Sequence, residues 1–122
     1  MLFRSKGLTK LGPNGAKNHY TKKEGIGNDV VLSIVEDING VVWVATYGGG
    51  LAKYKSNLDK FVSYNARNGL SGDHVLSLLS EGKNLWVGTY KGLNKLDISK
   101  SGESDSIRAQ FFGLGEGFLG LE

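Results

Sequence analysis

Apolar and polar residues alternate in short runs along this chain, and the runs return in the same order. Residues 30–51 read VVLSIVEDINGVVWVATYGGGL: an apolar run, a polar turn, a second run ending in Trp43-Val44-Ala45-Thr46, and a glycine turn into a third run. The order returns as VLSLLSEGKNLWVGTYKGL over residues 75–93. Short apolar runs punctuated by Gly, Asn and Asp indicate β-strands joined by tight turns. The pattern predicts strands over 31–36, 41–46, 51–55 and 61–64, with turns at 37–40, 48–50 and 56–60. The nearly unbroken apolar character of 31–36 suits an inner strand covered on both faces. Trp43 offers a large flat surface to pack between neighbouring sheets. In the second copy the stretch 99–106 is longer and polar, which predicts a solvent-exposed excursion. No stretch carries a helical period.

The repeat can be measured. Tyr20 and Tyr64, Gly25 and Gly69, Asp29 and Asp73, and Ser33 and Ser77 are each 44 apart. Trp43 and Trp86, Thr46 and Thr89, and Tyr47 and Tyr90 are 43 apart, while Gly50 and Gly92, Leu51 and Leu93, and Lys53 and Lys95 are 42 apart. The drift of one residue at each turn places the length changes in loops, where chains tolerate them. Gly7, Leu8 and Lys10 match Gly92, Leu93 and Lys95, and Phe112 matches Tyr20, so the ends belong to the same period. A period near 43 lies in the range of four-stranded propeller blades. The expectation is an all-β chain of β-propeller-type repeats with four-stranded antiparallel blades. It divides as the end of a blade over 1–19, blades over 20–63 and 64–111, and the start of a further unit or a tail over 112–122. Two full blades and two partial ones make an incomplete ring, since propellers close with about four to eight blades. The open faces would be covered by the remaining blades of a larger protein or by copies of the chain itself.

Composition sharpens this picture in three places. Nineteen glycines against one proline, with 39% hydrophobic residues, point to many tight turns rather than disorder. The net charge of +3 is mild, and the only basic cluster is Lys17, Lys22 and Lys23, so no nucleic-acid partner is expected. The chain has no cysteine, which removes disulfides, thiolate metal sites and a cysteine nucleophile. No run approaches the roughly 18 apolar residues of a membrane span, and MLFRSKGLTK has no apolar core of a signal peptide.

No catalytic constellation emerges. His19 and His74 occupy different repeat positions, so neither a metal site nor a cofactor is expected. Glu36 and Asp37 are adjacent at a strand end, which suits turn chemistry better than an acid–base pair. Gly48-Gly49-Gly50 lacks the Lys-Ser/Thr and helix of a phosphate loop. Binding is the better reading. In a four-stranded meander the loop entering strand one and the loop between strands two and three share one end. Those loops carry Asp29, Tyr47, Asp73, His74, Tyr90 and Lys91. Tyrosines beside polar groups suit a carbohydrate, which needs a flat apolar surface and hydrogen-bonding neighbours. Repetition of Tyr47 and Tyr90 favours packing between blades, which leaves Asp73, His74 and Lys91 as the positions that carry the ligand reading.

The order Tyr64, Gly69-Leu70-Ser71, Val75-Leu76-Ser77-Leu78, Trp86-Val87-Gly88-Thr89, Gly92-Leu93 resembles the two-component regulator propeller repeat. That pattern has a Gly-Leu-Ser loop, a Val-x-x-Ile strand, an Asp-x-x-Gly turn and a Trp-Ile-Gly-Thr strand. The chain departs from it at Ile26-Gly27, at Ala45 and over 80–84, where the Asp-x-x-Gly turn is lost. The resemblance implies a periplasmic sensor region of a hybrid histidine kinase, of the kind that recognises glycan fragments in Bacteroides-like bacteria. It also likens the tail at 112–122 to the stretch before an immunoglobulin-like sandwich. The readings from other classes are a protein-interaction scaffold and a piece of a propeller lyase or hydrolase.

Overall fold

Among the described residues the apolar–polar alternation becomes eleven short antiparallel strands, because each run can bury only one set of alternate side chains. The computed structural model describes residues 2–4, 7–102 and 104–113. The sequence expectations over 114–122 lie outside those residues. Strands β1 (Leu2–Arg4), β2 (Gly7–Leu11) and β3 (Lys17–Tyr20) form a three-stranded sheet in that order. A four-stranded meander follows: β4 (Val31–Glu36), β5 (Val42–Thr46), β6 (Gly50–Lys55) and β7 (Lys60–Tyr64). The third sheet runs β8 (Val75–Glu81), β9 (Asn84–Thr89), β10 (Gly92–Asp97) and β11 (Ala109–Gly113). Among the described residues the three sheets do not close a ring, as the repeat count predicted. The only helical elements described are two single 3-10 turns, Lys22–Glu24 and Ala66–Asn68.

Strand boundaries follow local chemistry. Val41 belongs to the turn rather than to β5 because its N–H donates to the Asp37 carboxylate at 3.0 Å. Each third strand opens on a glycine at positive φ, Gly7, Gly50 and Gly92. A Cβ at any of them would collide with the backbone carbonyl of Tyr20, Tyr64 or Phe112 on the neighbouring outer strand. Both inner strands also carry a register shift at the same place, Val31/Ser33 and Val75/Ser77.

The sheets stack face to face. Leu8 and Tyr20 of the first meet Ile26, Val31, Val44, Ala52 and Phe61. Trp43, Ala45, Leu51 and Tyr64 of the second meet Leu70, Val75, Leu85, Val87 and Leu96. The first two sheets each present a Leu, a Lys and a Tyr to the sheet that follows: Leu8, Lys10 and Tyr20, then Leu51, Lys53 and Tyr64.

At one end the second and third sheets are clasped by polar groups. Asp37 accepts N–H bonds from Asn39 (2.8 Å) and Val41, the Trp43 indole N–H (2.8 Å) and the Ser101 hydroxyl (2.7 Å). Asn39 donates to the Ile98 carbonyl at 2.8 Å. Lys53 is 2% exposed, and its ammonium donates to the Ser101 and Ser104 carbonyls at 3.0 and 2.6 Å and pairs with Asp105 at 3.0 Å. The expected solvent excursion at 99–106 thus folds back onto the second sheet. Its carbonyls are what a buried ammonium requires. Lys55 and Lys53 hold the Asp105 carboxyl below its usual range, while burial pushes the Tyr64 hydroxyl up to about 12.

Lys53→Ala is expected to destabilise the chain by about 2–4 kcal/mol through the lost buried contacts. The half-solvated Lys55→Ala is expected to cost under about 1 kcal/mol. Urea denaturation midpoints read both. Because folding lowers the Asp105 pKa, its contribution is present above its ordinary value of 3.8 and lost as pH falls through the folded value. Asp105→Asn should therefore flatten the acid limb of stability against pH in the same titrations.

Candidate functional site

Antiparallel meanders place the inter-sheet connectors and the turns between second and third strands at the same end, opposite the clasp. The connectors, 21–30 and 65–74, are built alike. Thr21 and Asn65 cap the two 3-10 turns, each with a reciprocal capping box. Asp29 Oδ1 accepts the Lys22 N–H at 3.0 Å, and Asp73 Oδ1 accepts the Ala66 N–H at 2.9 Å. The backbone carbonyls of these aspartates accept the Gly7 and Gly50 N–H groups at 2.6 and 2.9 Å, tying each connector to the preceding sheet. Asp29 and Asp73 therefore brace the connectors from below.

On the second connector this bracing sets His74 between two tyrosines. Its ring lies 5.1 Å from that of Tyr90, at an interplanar angle of 22°, and 6.2 Å from that of Tyr47, at 87°. Tyr47 comes from the turn after β5 and Tyr90 from the turn after β9, so the three rings bridge two sheets. Both tyrosines face solvent, at 52% and 60% exposure, and neither is packed into the sheet interface. Lys91 adjoins them, its N–H held by the Thr89 hydroxyl at 3.2 Å. Of the six residues predicted from sequence, the structure gathers Tyr47, His74, Tyr90 and Lys91 on one rim. Asp73 lies at its base, and Asp29 serves the other connector.

Sequence reasoning missed the polar layer beneath this rim. Asn94, fully buried, accepts the Ser71 N–H at 3.1 Å and donates to the Ser71 hydroxyl at 2.9 Å. Ser71 in turn shares a hydrogen bond with the Thr89 hydroxyl at 2.8 Å. The signal was a polar residue on the inward phase of β10, where an apolar one is the rule. In the second sheet the matching positions are Gly27 and Ala52, so the buried Thr46 hydroxyl is left without a partner. Thr46→Val is expected to leave stability unchanged or raise it by up to about 1 kcal/mol, whereas Thr89→Val costs about 1 kcal/mol. In the same samples Tyr90→Leu should move the His74 ring-proton resonances downfield by removing the stacked ring, as proton NMR would read.

Among the described residues no group of three or more His, Cys, Asp or Glu is placed to hold a metal ion. No described helix is long and apolar enough to cross a membrane. A cavity of about 330 Å³ lies at the clasp end, lined by Trp43, Ser101, Ser104, Ile107 and Arg108, far in the topology from the aromatic rim.

With this geometry in hand, residues 25–48 match the family described as two component regulator propeller. These residues run from Gly25 in the first connector through β4 and β5 to Gly48. Among solved structures, the chain is similar to the extracellular domain of a protein described as a hybrid two component system from B. thetaiotaomicron. The two share 23% identity with a TM-score of 0.57, over 75% of this chain and 12% of that one. The likeness shows the propeller fold, and the chain spans only about an eighth of that domain's length. No curated protein matches the chain.

Proposed function

We propose that this chain, with a two component regulator propeller repeat at residues 25–48, is part of the periplasmic sensing propeller of a hybrid two-component system and recognises a carbohydrate at the Tyr47–His74–Tyr90 rim. One observation carries the reading: two half-exposed tyrosine rings flank a histidine across the junction of two sheets. Aromatic planes grouped at the surface, unlike ones scattered singly, mark interaction sites. A pyranose offers the matching surface, with axial C–H groups against the ring and hydroxyls for polar neighbours. His74 and the Lys91 ammonium supply those polar neighbours, and Lys91 is exposed at the edge of the rim.

The braced connectors bear on signalling. Because Tyr47 and Tyr90 belong to different sheets, a ligand bridging them couples to the angle between those sheets. A change in that angle is the coarse motion a propeller segment can pass along its stack. The proposed role is recognition, with Asp73 at the base of the rim holding the Ala66 N–H through one carboxylate oxygen.

The test is calorimetric titration of the full chain with a panel of soluble neutral and acidic oligosaccharides, followed by amide NMR shifts. Saturable binding is expected, with shifts centred on Tyr47, His74 and Tyr90. Tyr47→Ala and Tyr90→Ala should each weaken it about tenfold or more, the scale of one good ring contact. Leu58→Ala, exposed at the opposite end, should change nothing. Binding indifferent to both tyrosines, or no binding across the panel, would overturn the proposal.

A further inference from the structure

Both formed interfaces place an aspartate of the next sheet near a lysine and a tyrosine, with different contacts at each. On the face a sheet turns to its successor stands a lysine of the third strand, Lys10 or Lys53, beside an outer-strand tyrosine, Tyr20 or Tyr64. Each tyrosine donates to an aspartate residue in the turn between the third and fourth strands of the next sheet, and at the second interface the lysine pairs with that residue's carboxylate as well. Tyr20 donates to Asp59 at 2.6 Å, and Lys10 sits over the Tyr54 ring at 5.3 Å, whose hydroxyl also donates to Asp59, at 2.7 Å. At the second interface Tyr64 donates to the Asp105 carbonyl at 2.6 Å, and Lys53 pairs with the Asp105 carboxylate at 3.0 Å.

The third sheet displays the lysine of that set, Lys95, with Phe112 at the tyrosine's place and therefore no hydroxyl, and no sheet is described beyond it. Lys95 lies 5.8 Å over the Trp86 ring, and Trp86 packs against Phe112 at 6.0 Å. Around them Leu78, Leu79 and Leu93 line an apolar groove, with Leu79 61% exposed. The first sheet of a second copy does not fit this face. At the place of Asp59 (φ 52°) its turn carries Gly15 (φ 77°), and at the place of Phe61 it carries Lys17. By strand alternation Lys17 lies on the side away from the second sheet, together with His19 and Leu11. A head-to-tail copy would bring one lysine towards another and supply no carboxylate, an arrangement that like charges oppose.

We infer that the Lys95–Trp86 face is a docking surface for a further repeat sheet that carries an aspartate in the turn between its third and fourth strands. It rejects the first sheet of a second copy of this chain. The aspartate recurring in that turn at both formed interfaces, Asp59 and Asp105, supplies the register, and the missing acid in the first sheet supplies the selectivity.

Light scattering on the full chain at rising concentration tests this. The wild-type chain should stay at 13.1 kDa. The double variant Gly15→Asp, Lys17→Phe should associate into multiples of that mass, and adding Lys95→Ala should weaken the association about tenfold, the scale of one charge-assisted contact. If the double variant loses its strand signal in circular dichroism, Gly15→Asp alone is read by mixing with labelled wild type. A Cβ at Gly15 meets nothing within 4 Å, and aspartate tolerates the left-handed backbone there, as Asp59 does at the matching position, so that variant keeps its fold. Self-association of the wild-type chain, or a folded acid-bearing variant that stays monomeric or ignores Lys95, would overturn the inference.

Discussion

A lysine ammonium cannot be buried without acceptors, and the docking of the second and third sheets depends on how Lys53 meets that demand. Its Nζ takes two carbonyls and a carboxylate from the segment after β10, which draws that segment over Trp43 and Tyr64. The same segment delivers Ser101 to Asp37, and Asp37 orders both its own turn and the Trp43 indole. One desolvated charge thus aligns a strand, a turn and a loop from three places in the chain. At the other end the Gly50 N–H closes the joint on the Asp73 carbonyl. Fixed at both ends, the two sheets present Tyr47, His74 and Tyr90 at set separations.

The repeat made the strands legible. Period-two alternation with glycine punctuation fixed 31–36, 41–46, 51–55 and 61–64 to within a residue of the observed strands, because side-chain direction and strand register are the same information. The clasp was not legible. The segment SKSGESDS is polar enough to suit solvent, and the groups that bring it home are backbone carbonyls, which no sequence pattern displays. Lys53 itself left a trace, since a lysine recurring at Lys10 and Lys95 in the same strand phase marks a position under structural demand.

The rim was half legible. Tyr47 and Tyr90 stand out as repeated aromatics in turns, but repetition alone could not separate packing from display; their exposure does. His74 has Val30 as its counterpart in the preceding connector, so its meeting with both tyrosines arises only once two sheets dock. Asp29 and Asp73 stand out in the sequence as acids in loops. In the structure one oxygen of each carboxylate accepts a backbone N–H of the connector it closes. The propeller fold of the B. thetaiotaomicron domain agrees with this arrangement of stacked sheets.

The account requires that the second and third sheets act as one unit, with a rim formed before any ligand arrives. Native-state hydrogen exchange at the Gly50 amide tests this most directly, because that N–H crosses from one sheet to the connector of the next. Exchange of Gly50 with the same free energy as the slowest amides of β5 and β9 is the predicted result. Exchange of Gly50 through a smaller opening, while those strands stay protected, would mean that the sheets part independently and would contradict a preformed rim.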